Sequence, residues 1–378
     1  MRAGLIAVVL LNFAAGGALA SAYSDFNAGV AAHNREDWDE SVTRLSAALD
    51  APDLSQTLRV PAYIDRGDAH AARREWKEAI ADYSAALAIK PDNLEALMHR
   101  AAIYEAERKY SDAIGDYAQV IALRPSMAMG YEGRASTHDD ANDLDAAIAD
   151  YSAAIAIDPR NAADYTLRGS AYRRQGNFQK AIADQNRAID IDSKSPQIYF
   201  ERAQTYQDEG EYHHAITDNM NGLRMRPADT DGRLQLGLSL WAYGRFADAA
   251  AAFTQLVDQR PTAPYSVLWL ALAEARAGQD YKTDLTSRAA KLDPDKWPAP
   301  LVKLYLGQAE MRDVVDAAGA DRASVKNRMC EVDFYDAEFN LLKGDKGSAR
   351  PQLEAAVANC PREFIEHDAA NAELQRLK

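Results

Sequence analysis

Two small groups of residues in this 378-residue chain have types that could perform chemistry. The acidic cluster DDANDLD, over Asp139–Asp145, could bind calcium, and the adjacent His213 and His214 could bind a transition metal. The cluster lacks the central glycine and the terminal glutamate of a calcium loop, whereas Asp and Asn are common in turns and helix caps. Two adjacent histidines point in different directions. We therefore expect a turn, a solvated histidine pair and no metal site.

The chain contains no sequence motif of a common catalytic site. GxSxG, HExxH, a P-loop and CxxC are all missing from it. The sequence therefore predicts neither an enzyme nor a cofactor, and any function has to come from a surface.

The formal net charge of -14 argues against nucleic acid as a partner. A negative protein is repelled by the phosphate backbone, and no run of Lys and Arg offsets this charge locally. With 47% hydrophobic and 26% charged residues, the composition is that of a globular protein.

Residues 1–22 have the pattern of a secretory signal peptide. Arg2 gives a positive start, Leu5–Leu11 is apolar, and Ala18-Leu19-Ala20 is a small-residue cleavage pattern. An uncleaved membrane anchor is the alternative, but Asn12 and the following glycines interrupt an apolar run that is shorter than a membrane span. We expect cleavage after Ala20 or Ala22, no stable membrane anchor afterwards, and a periplasmic or secreted protein.

A period of 34 residues runs through most of the chain. The stretch AIADYSAALAIKPDN at Ala79 returns as AIADYSAAIAIDPRN at Ala147, which is 68 residues later. We number six central repeats from 1 to 34, the first beginning at Val60. Position 8 is then always Gly or Ala, position 20 is always Ala, position 24 is Tyr or Phe in four of the six, and position 32 is Pro in five. Self-similarity at a fixed period is the signature of stacked repeats.

The pattern predicts two short antiparallel helices in each repeat. Small residues at positions 8 and 20 let the helices approach closely, and the bulky residue at 24 fills the space beside them. Proline at 32 ends the second helix because it cannot donate the next hydrogen bond. One pair cannot bury its apolar face alone, so successive pairs must stack.

These residues resemble the tetratricopeptide repeat over residues 23–295, in about eight copies. Six copies from Val60 to Ala263 keep an unbroken register, and a short insertion within Leu54–Val60 follows the first copy. The resemblance implies an all-α fold, a superhelical solenoid of antiparallel helix pairs.

Position 7 is Arg and position 23 is Asp in five consecutive repeats, from Arg66 and Asp82 to Arg202 and Asp218. Positions whose numbers sum to about 31 lie at the same height in an antiparallel pair, so these residues can meet within one repeat or across to the next. An ion track is the functional alternative. We favour a ladder of partly exposed ion pairs that fixes helix register, each contributing about 0.5–1 kcal/mol.

The repeat rhythm breaks after Pro294 and resumes near the C-terminus. We expect an irregular helical connector over 296–328, then a final repeat-like helix pair and a capping helix over 329–378. Cys330 and Cys360, the two cysteines of the chain, fall at positions 1 and 31 of this last repeat. The height rule places them side by side and predicts a disulfide, with two unrelated buried thiols as the alternative.

The same C-terminal segment resembles the NlpI family of bacterial envelope lipoproteins. The resemblance is carried by Leu304–Gly307, Phe334-Tyr335, Gly344-Asp345, Ala356–Asn359 and Phe364–His367. It implies a periplasmic adaptor that docks a C-terminal processing protease or peptidoglycan hydrolases. This chain lacks the lipobox cysteine and has more repeats, which leaves anchoring and the identity of the partner open.

The tetratricopeptide resemblance also implies an inner, concave face that binds peptides, built by positions 2, 5, 9, 12 and 13 of each first helix. We expect an extended peptide on this face, with Phe200 and Trp241 as exposed aromatic anchors. The candidate residues are Met98, Glu105, Glu132, Ser136, Asp139, Thr166, Ser170, Arg173, Phe200, Gln204, Gln207, Leu234, Leu238 and Trp241.

The sequence thus predicts an exported, soluble scaffold or adaptor that binds protein partners in the periplasm. The partner expected first is an envelope protease or a peptidoglycan hydrolase. A permanent structural subunit or assembly factor of a secretion or outer-membrane complex is the alternative. The pattern leaves the oligomeric state open.

Overall fold

The computed structural model describes residues 22–362 and 364–378, so the signal peptide expected over 1–22 lies outside the described residues except for Ala22. Over these ranges the chain is helical and has no strand. The expected all-α fold of antiparallel helix pairs is confirmed. Among the described helices, none combines the length and the apolar character needed to cross a membrane.

The chain divides into two compact units, of which unit 1 ends at Ala171 and unit 2 is Tyr172–Lys378. The helices up to the division, which falls within the last of them, are α1 (22–33), α2 (Trp38–Asp50), α3 (Gln56–Ala72), α4 (Trp76–Ile89), α5 (Leu94–Ala106), α6 (Tyr110–Leu123), α7 (Ala128–Asp140), α8 (Leu144–Ile157) and α9 (Ala162–Arg174). The helices of unit 2 are α10 (Phe178–Ile191), α11 (Pro196–Glu209), α12 (Tyr212–Met225), α13 (Thr230–Tyr243), α14 (Phe246–Gln259), α15 (Pro264–Arg276), α16 (Tyr281–Ala289), α17 (Ala299–Leu306), α18 (Met311–Gly319), α19 (Val325–Leu342), α20 (Lys346–Asn359) and α21 (Ile365–Arg376).

Small residues bring the two helices of a repeat into close contact, as the pattern predicts. A Cβ atom added to Gly67 in α3 would lie 2.7 Å from the ring of Tyr83 in α4, and one added to Gly237 in α13 would lie 2.4 Å from the ring of Phe253 in α14. The alanine at position 20 is fully buried in both pairs. Position 8 therefore has to be small because the ring at position 24 occupies the space that a side chain would need.

The Arg-Asp ladder forms within the repeats. Arg100 donates from Nε and Nη2 to the two carboxylate oxygens of Asp116, both at 2.8 Å, and from Nη1 to Ser84 at 2.9 Å. The same bidentate pairing, at 2.6–2.8 Å, joins Arg66 to Asp82, Arg134 to Asp150 and Arg202 to Asp218. The carboxylates are only 3–7% exposed, which is more buried than we expected of the rungs. Each arginine thus holds the two helices of its repeat together, and substituting it would leave a buried carboxylate without a counter-ion.

The final repeat differs from the predicted repeat pattern in where its first helix begins. The connector region contains the short helices α17 and α18, and α19 begins at Val325, five residues before Cys330. Cys330 is therefore inside a helix and not at its start. The disulfide between Cys330 and Cys360 is confirmed, and it closes a loop of 30 residues. In the chain-entropy account a loop of this length adds about 3–4 kcal/mol to stability.

The turn between the two helices of a repeat requires one residue with a left-handed backbone. The residue at position 15 has a positive φ in early and late repeats alike. The angle is 60° at Glu36, 58° at Arg108, 62° at Asn142, and 86° at both Gly210 and Gly244. Glycine adopts this conformation without strain, whereas a side chain with a Cβ costs about 1–2 kcal/mol there. The early repeats therefore carry strain at a turn that later repeats relieve with glycine.

We expect Arg108→Gly to stabilise the protein by about 1 kcal/mol, because glycine adopts the left-handed backbone without strain and the side chain that is removed is exposed. Urea unfolding followed by circular dichroism measures the change. Arg108→Ala is the matched control, since it removes the guanidinium but keeps the Cβ, and it should change stability little. An equal gain from both variants would contradict the backbone explanation.

Candidate protein-binding surface

The candidate residues of the peptide-binding face divide between the two units. Seven of them, Met98 to Ser170, lie in unit 1, and the other seven, Arg173 to Trp241, lie in unit 2. We name the two sets face 1 and face 2 and describe each by itself.

In face 1 the candidate side chains are half-buried and linked from one first helix to the next. Ser136 in α7 donates to Glu105 in α5 at 2.9 Å, and the Asn161 amide donates to Glu132 at 3.2 Å. Thr166 donates to the carbonyl of Ala162 in its own helix. Glu105 and Ser136, at positions 12 and 9 of successive first helices, therefore lie side by side in unit 1.

Face 1 carries an excess of negative charge. Burial raises the pKa of Glu105, and burial followed by the nearby Glu132 raises the pKa of Asp164, beside the face, to about 6. Asp164 is only 1% exposed, and its Oδ2 accepts no hydrogen bond from the described residues. The charged groups that raise these two pKa values are other carboxylates, Asp140 for Glu105 and Glu132 with Asp158 for Asp164.

The arginines of α3, α5 and α7 do not neutralise face 1. Arg66, Arg100 and Arg134 are engaged in the ladder, and Arg59 donates three hydrogen bonds to backbone carbonyls in the last turn of α2 and in the segment after it. Two large apolar side chains accompany the carboxylates, since Met129 is 54% exposed and Leu167 is 46% exposed. An acidic surface with scattered apolar side chains suits a cationic polypeptide.

Face 2 differs from our expectation at Phe200, which is 5% exposed and not an exposed anchor. Its ring fills the space over two glycines, because a Cβ on Gly222 or on Gly232 would approach Phe200 Cε1 to 2.4 Å. The glycines at positions 27 and 3 make room for the large residue at position 5. Phe200 is thus a core residue between α12 and α13.

The expectation for Trp241 is also wrong, since this side chain is fully buried and Leu238 is 8% exposed. Trp241 packs edge-to-face on Phe246 and Trp269, with ring centroids 4.9 and 5.4 Å away. Helix α21 lies against α13 at this point. Arg376 of α21 donates to the carbonyls of Trp241 and Ala242 at 2.9 and 3.0 Å.

A buried charge cluster fastens α21 to the repeats of unit 2. Arg276 contacts Glu338 at 2.8 Å and Glu373 at 3.1 Å, and Arg376 also pairs with Glu373. Burial and the neighbouring Glu373 raise the pKa of Glu338. The last helix therefore packs across α13 as well as on α19 and α20, instead of only closing the end of the stack.

The other candidate residues of unit 2 are half-buried and mostly engaged with one another. Arg173 contacts Asp208 at 2.7 Å, and Gln204 donates to the same carboxylate at 2.9 Å. Gln207 accepts a hydrogen bond from Ser239 at 2.8 Å, and Leu234 packs against the core. Face 2 thus has little free binding capacity beside α21.

In the groups first considered for metal binding, Asp143 caps the start of α8 by accepting from the Ala146 amide at 3.3 Å. Of the histidine pair, the exposed His214 lies 3.5 Å from Glu211. A third group was missed, in which one atom from each of His33, Asp65 and Asp68 lies within 4.8 Å of the others. Comparing residue positions in the first helices α1 and α3 could have revealed this group. The insertion after the first repeat shifts the position numbers between these two helices, so the comparison was missed.

Comparisons with known proteins identify the repeats. A family model described as TPR repeat matches residues 67–107, 140–176 and 169–210, and one described as tetratricopeptide repeat matches residues 234–281. The tetratricopeptide repeats expected from the sequence are therefore confirmed.

One solved structure supports the same fold, and two others are similar to parts of this chain. A tetratricopeptide repeat protein from Parabacteroides merdae matches with a TM-score of 0.52 and 17% identity over 67% of this chain and 98% of its own. The C-terminal part of a TPR repeat-containing protein from Cytophaga hutchinsonii gives a TM-score of 0.46 and 19% identity, over 72% of this chain and 98% of its own. A MamA protein matches with a TM-score of 0.42 and 24% identity, over 45% of this chain and 92% of its own.

The burial of Phe200 over two glycines can be tested by substitution. Gly222→Ala should destabilise the protein by about 1–3 kcal/mol, because the added methyl group overlaps the ring. Phe200→Leu in the same chain should recover part of the loss, and urea unfolding measures both.

Gly115→Ala is the matched control, since Gly115 lies inside α6 and has no atom within 4 Å of an added Cβ. It should stabilise the protein by about 0.5–1 kcal/mol through helix propensity. If Gly222→Ala were as harmless as Gly115→Ala, the ring of Phe200 would not occupy the space described.

Proposed function

We propose that this protein is a non-catalytic scaffold that binds a partner polypeptide on face 1. The observation that carries the proposal is that the half-buried Glu105 and Glu132 of face 1 accept hydrogen bonds from Ser136 and Asn161 but form no ion pair with a cation within the described ranges. A lysine or arginine of a partner would supply the missing charge, and its apolar neighbours would contact Met129 and Leu167.

The geometry also supports an extended segment as the ligand. The linked residues of α5 and α7 lie 31 positions apart in the chain and side by side in space. A chain running across the first helices therefore meets a similar arrangement of side chains at each repeat, which is how solenoids bind extended polypeptides. Lys and Arg at intervals, separated by apolar residues, would match this arrangement.

The location and the partner are further parts of the proposal. The Arg2 to Ala20 pattern and the disulfide both favour an exported protein, since disulfides persist in oxidising compartments. We propose a periplasmic partner, either a C-terminal processing protease or a peptidoglycan hydrolase. The NlpI-like residues Leu304, Tyr305, Phe334 and Tyr335 are buried, so that resemblance supports a shared packing of this segment.

Binding to face 1 can be measured with two fluorescent peptides of equal length, one with Lys alternating with Leu and one with Glu in place of Lys. We expect the Lys peptide to bind with a strong dependence on salt, and the Glu peptide not to bind. Glu105→Gln with Glu132→Gln should weaken binding roughly 10-fold, or about 1.4 kcal/mol. Fluorescence anisotropy gives the dissociation constants.

The matched control is Glu78→Gln with Asp112→Asn, which removes two exposed carboxylates from the second helices α4 and α6 of the same unit. This variant should bind the Lys peptide as the parent protein does. Equal weakening in both variants would show attraction to net charge alone and would contradict a site on face 1. Basic segments from the two proposed enzyme classes can then replace the model peptide.

Export can be tested by N-terminal sequencing of the protein recovered from the periplasm of a bacterial host. We expect the mature chain to begin at Ser21, because Ala22 is 3% exposed and packs in the core that holds Leu45 and Leu49. Recovery of only the uncleaved chain from the cytoplasm would contradict export. A start at Tyr23 would contradict the structural role of Ala22.

A further inference from the structure

Three side chains of unit 1 converge between the first and second repeats. His33 is in the last turn of α1, and Asp65 and Asp68 are in α3. His33 Nε2 lies 3.6 Å from Asp68 Oδ2, and one oxygen of Asp65 lies within 4.8 Å of both. Imidazole nitrogen and carboxylate oxygen are the donors that divalent transition metals bind in proteins.

Asp68 is held in place by two further hydrogen bonds. Its Oδ1 accepts from the hydroxyl of Tyr83 at 2.7 Å and lies 2.8 Å from His99 Nδ1. This leaves Oδ2 directed at His33. Supporting hydrogen bonds to a ligand carboxylate are a regular feature of built metal sites, where they fix the ligand before the ion binds.

Asp65 has no comparable partner. It makes no hydrogen bond and no ion pair within residues 22–362 and 364–378, and its strongest favourable interaction is the longer-range one with His33. A half-buried carboxylate beside another carboxylate is costly unless a cation lies between them.

We propose that His33, Asp65 and Asp68 bind one divalent transition-metal ion, with Zn²⁺ the best match, and with water in the remaining position. Ligand atoms around tetrahedral Zn²⁺ are about 3.4 Å apart, so the pair formed by His33 and Asp68 already has the required spacing. Asp65 has to approach by up to about 1.4 Å, which a side-chain rotation provides.

The ion would connect α1 to α3 across the insertion that separates the first two repeats. Calcium fits less well, because it takes six to eight oxygen ligands and this site offers a nitrogen and two carboxylates. The competing arrangement is a simple ion pair of protonated His33 with Asp68, in which Asp65 has no role. Asp65 is a ligand in the metal site and has no role in the ion pair, so a substitution of Asp65 distinguishes the two arrangements.

Isothermal titration calorimetry of the untagged, disulfide-bonded protein with ZnCl₂, after treatment with EDTA, tests the proposal. We expect one ion per chain, bound at micromolar concentration or below, and the visible absorption of four- or five-coordinate Co²⁺ when CoCl₂ replaces zinc. Asp65→Asn and His33→Ala should each weaken zinc binding at least 100-fold. His99→Ala, which removes only a supporting hydrogen bond, should weaken it by roughly 10-fold.

His214→Ala is the matched control, since it removes an exposed imidazole of unit 2 and should leave zinc binding unchanged. No binding by the parent protein would overturn the proposal, and so would binding that survives in Asp65→Asn or is lost in His214→Ala.

Stability measurements separate loss of the site from loss of the fold. In EDTA, Asp65→Asn should melt at the same temperature as the parent or higher, because it removes a carboxylate that has no partner. Zinc should then raise the melting temperature of the parent but not that of Asp65→Asn. An equal rise in both, or a lower melting temperature for Asp65→Asn in EDTA, would overturn the role given to Asp65.

Discussion

The close approach of the two helices in each repeat is the constraint on which the other features depend. At Gly67 and Gly237 no Cβ fits, because the ring at position 24 already occupies the space. Helices held this close have a fixed relative height, and the height brings position 7 beside position 23. A short turn must then join them, which demands the left-handed residue at position 15. Packing therefore determines the ion pairs and the turns, and these in turn restrict the packing to one register.

The same geometry explains what the sequence could and could not predict. Arg100 with Asp116 and Cys330 with Cys360 were predictable because each pair lies within one repeat, where position numbers translate into height. Trp241 was not, because α21 lies more than a hundred residues away in the chain and no repeat position encodes its docking. Phe200 could have been predicted to be buried, since glycines at positions 27 and 3 leave space for a ring. Our position rule treated all residues at position 5 alike and overlooked this compensation.

Face 1 and face 2 use the same helix positions for different purposes. In unit 2 the chain itself supplies an occupant, since Arg376 caps the end of α13 and the pairs with Glu373 and Glu338 are buried. In unit 1 the described residues supply no such helix, and the arginines that could neutralise the face are engaged in the ladder. The ladder thus affects the electrostatics of face 1 indirectly, because Arg66, Arg100 and Arg134 pair with ladder carboxylates and not with Glu105 or Glu132.

Carboxylates that are buried without a paired cation reduce stability, so their presence in unit 1 needs a physical reason. Burial, followed by the nearby Glu132, raises the pKa of Asp164 to about 6, which means that the folded protein disfavours the ionised form of this carboxyl group. The unfavourable energy of such a group would fall when a cation binds nearby, and the free energy recovered would add to the affinity for that cation. Asp65 has an imidazole and a fixed carboxylate beside it, which suits a metal ion. Asp164 has the more exposed Glu132 beside it, which suits a basic side chain of a partner. The two sites therefore differ in ligand because their neighbours differ, although the electrostatic cause is the same.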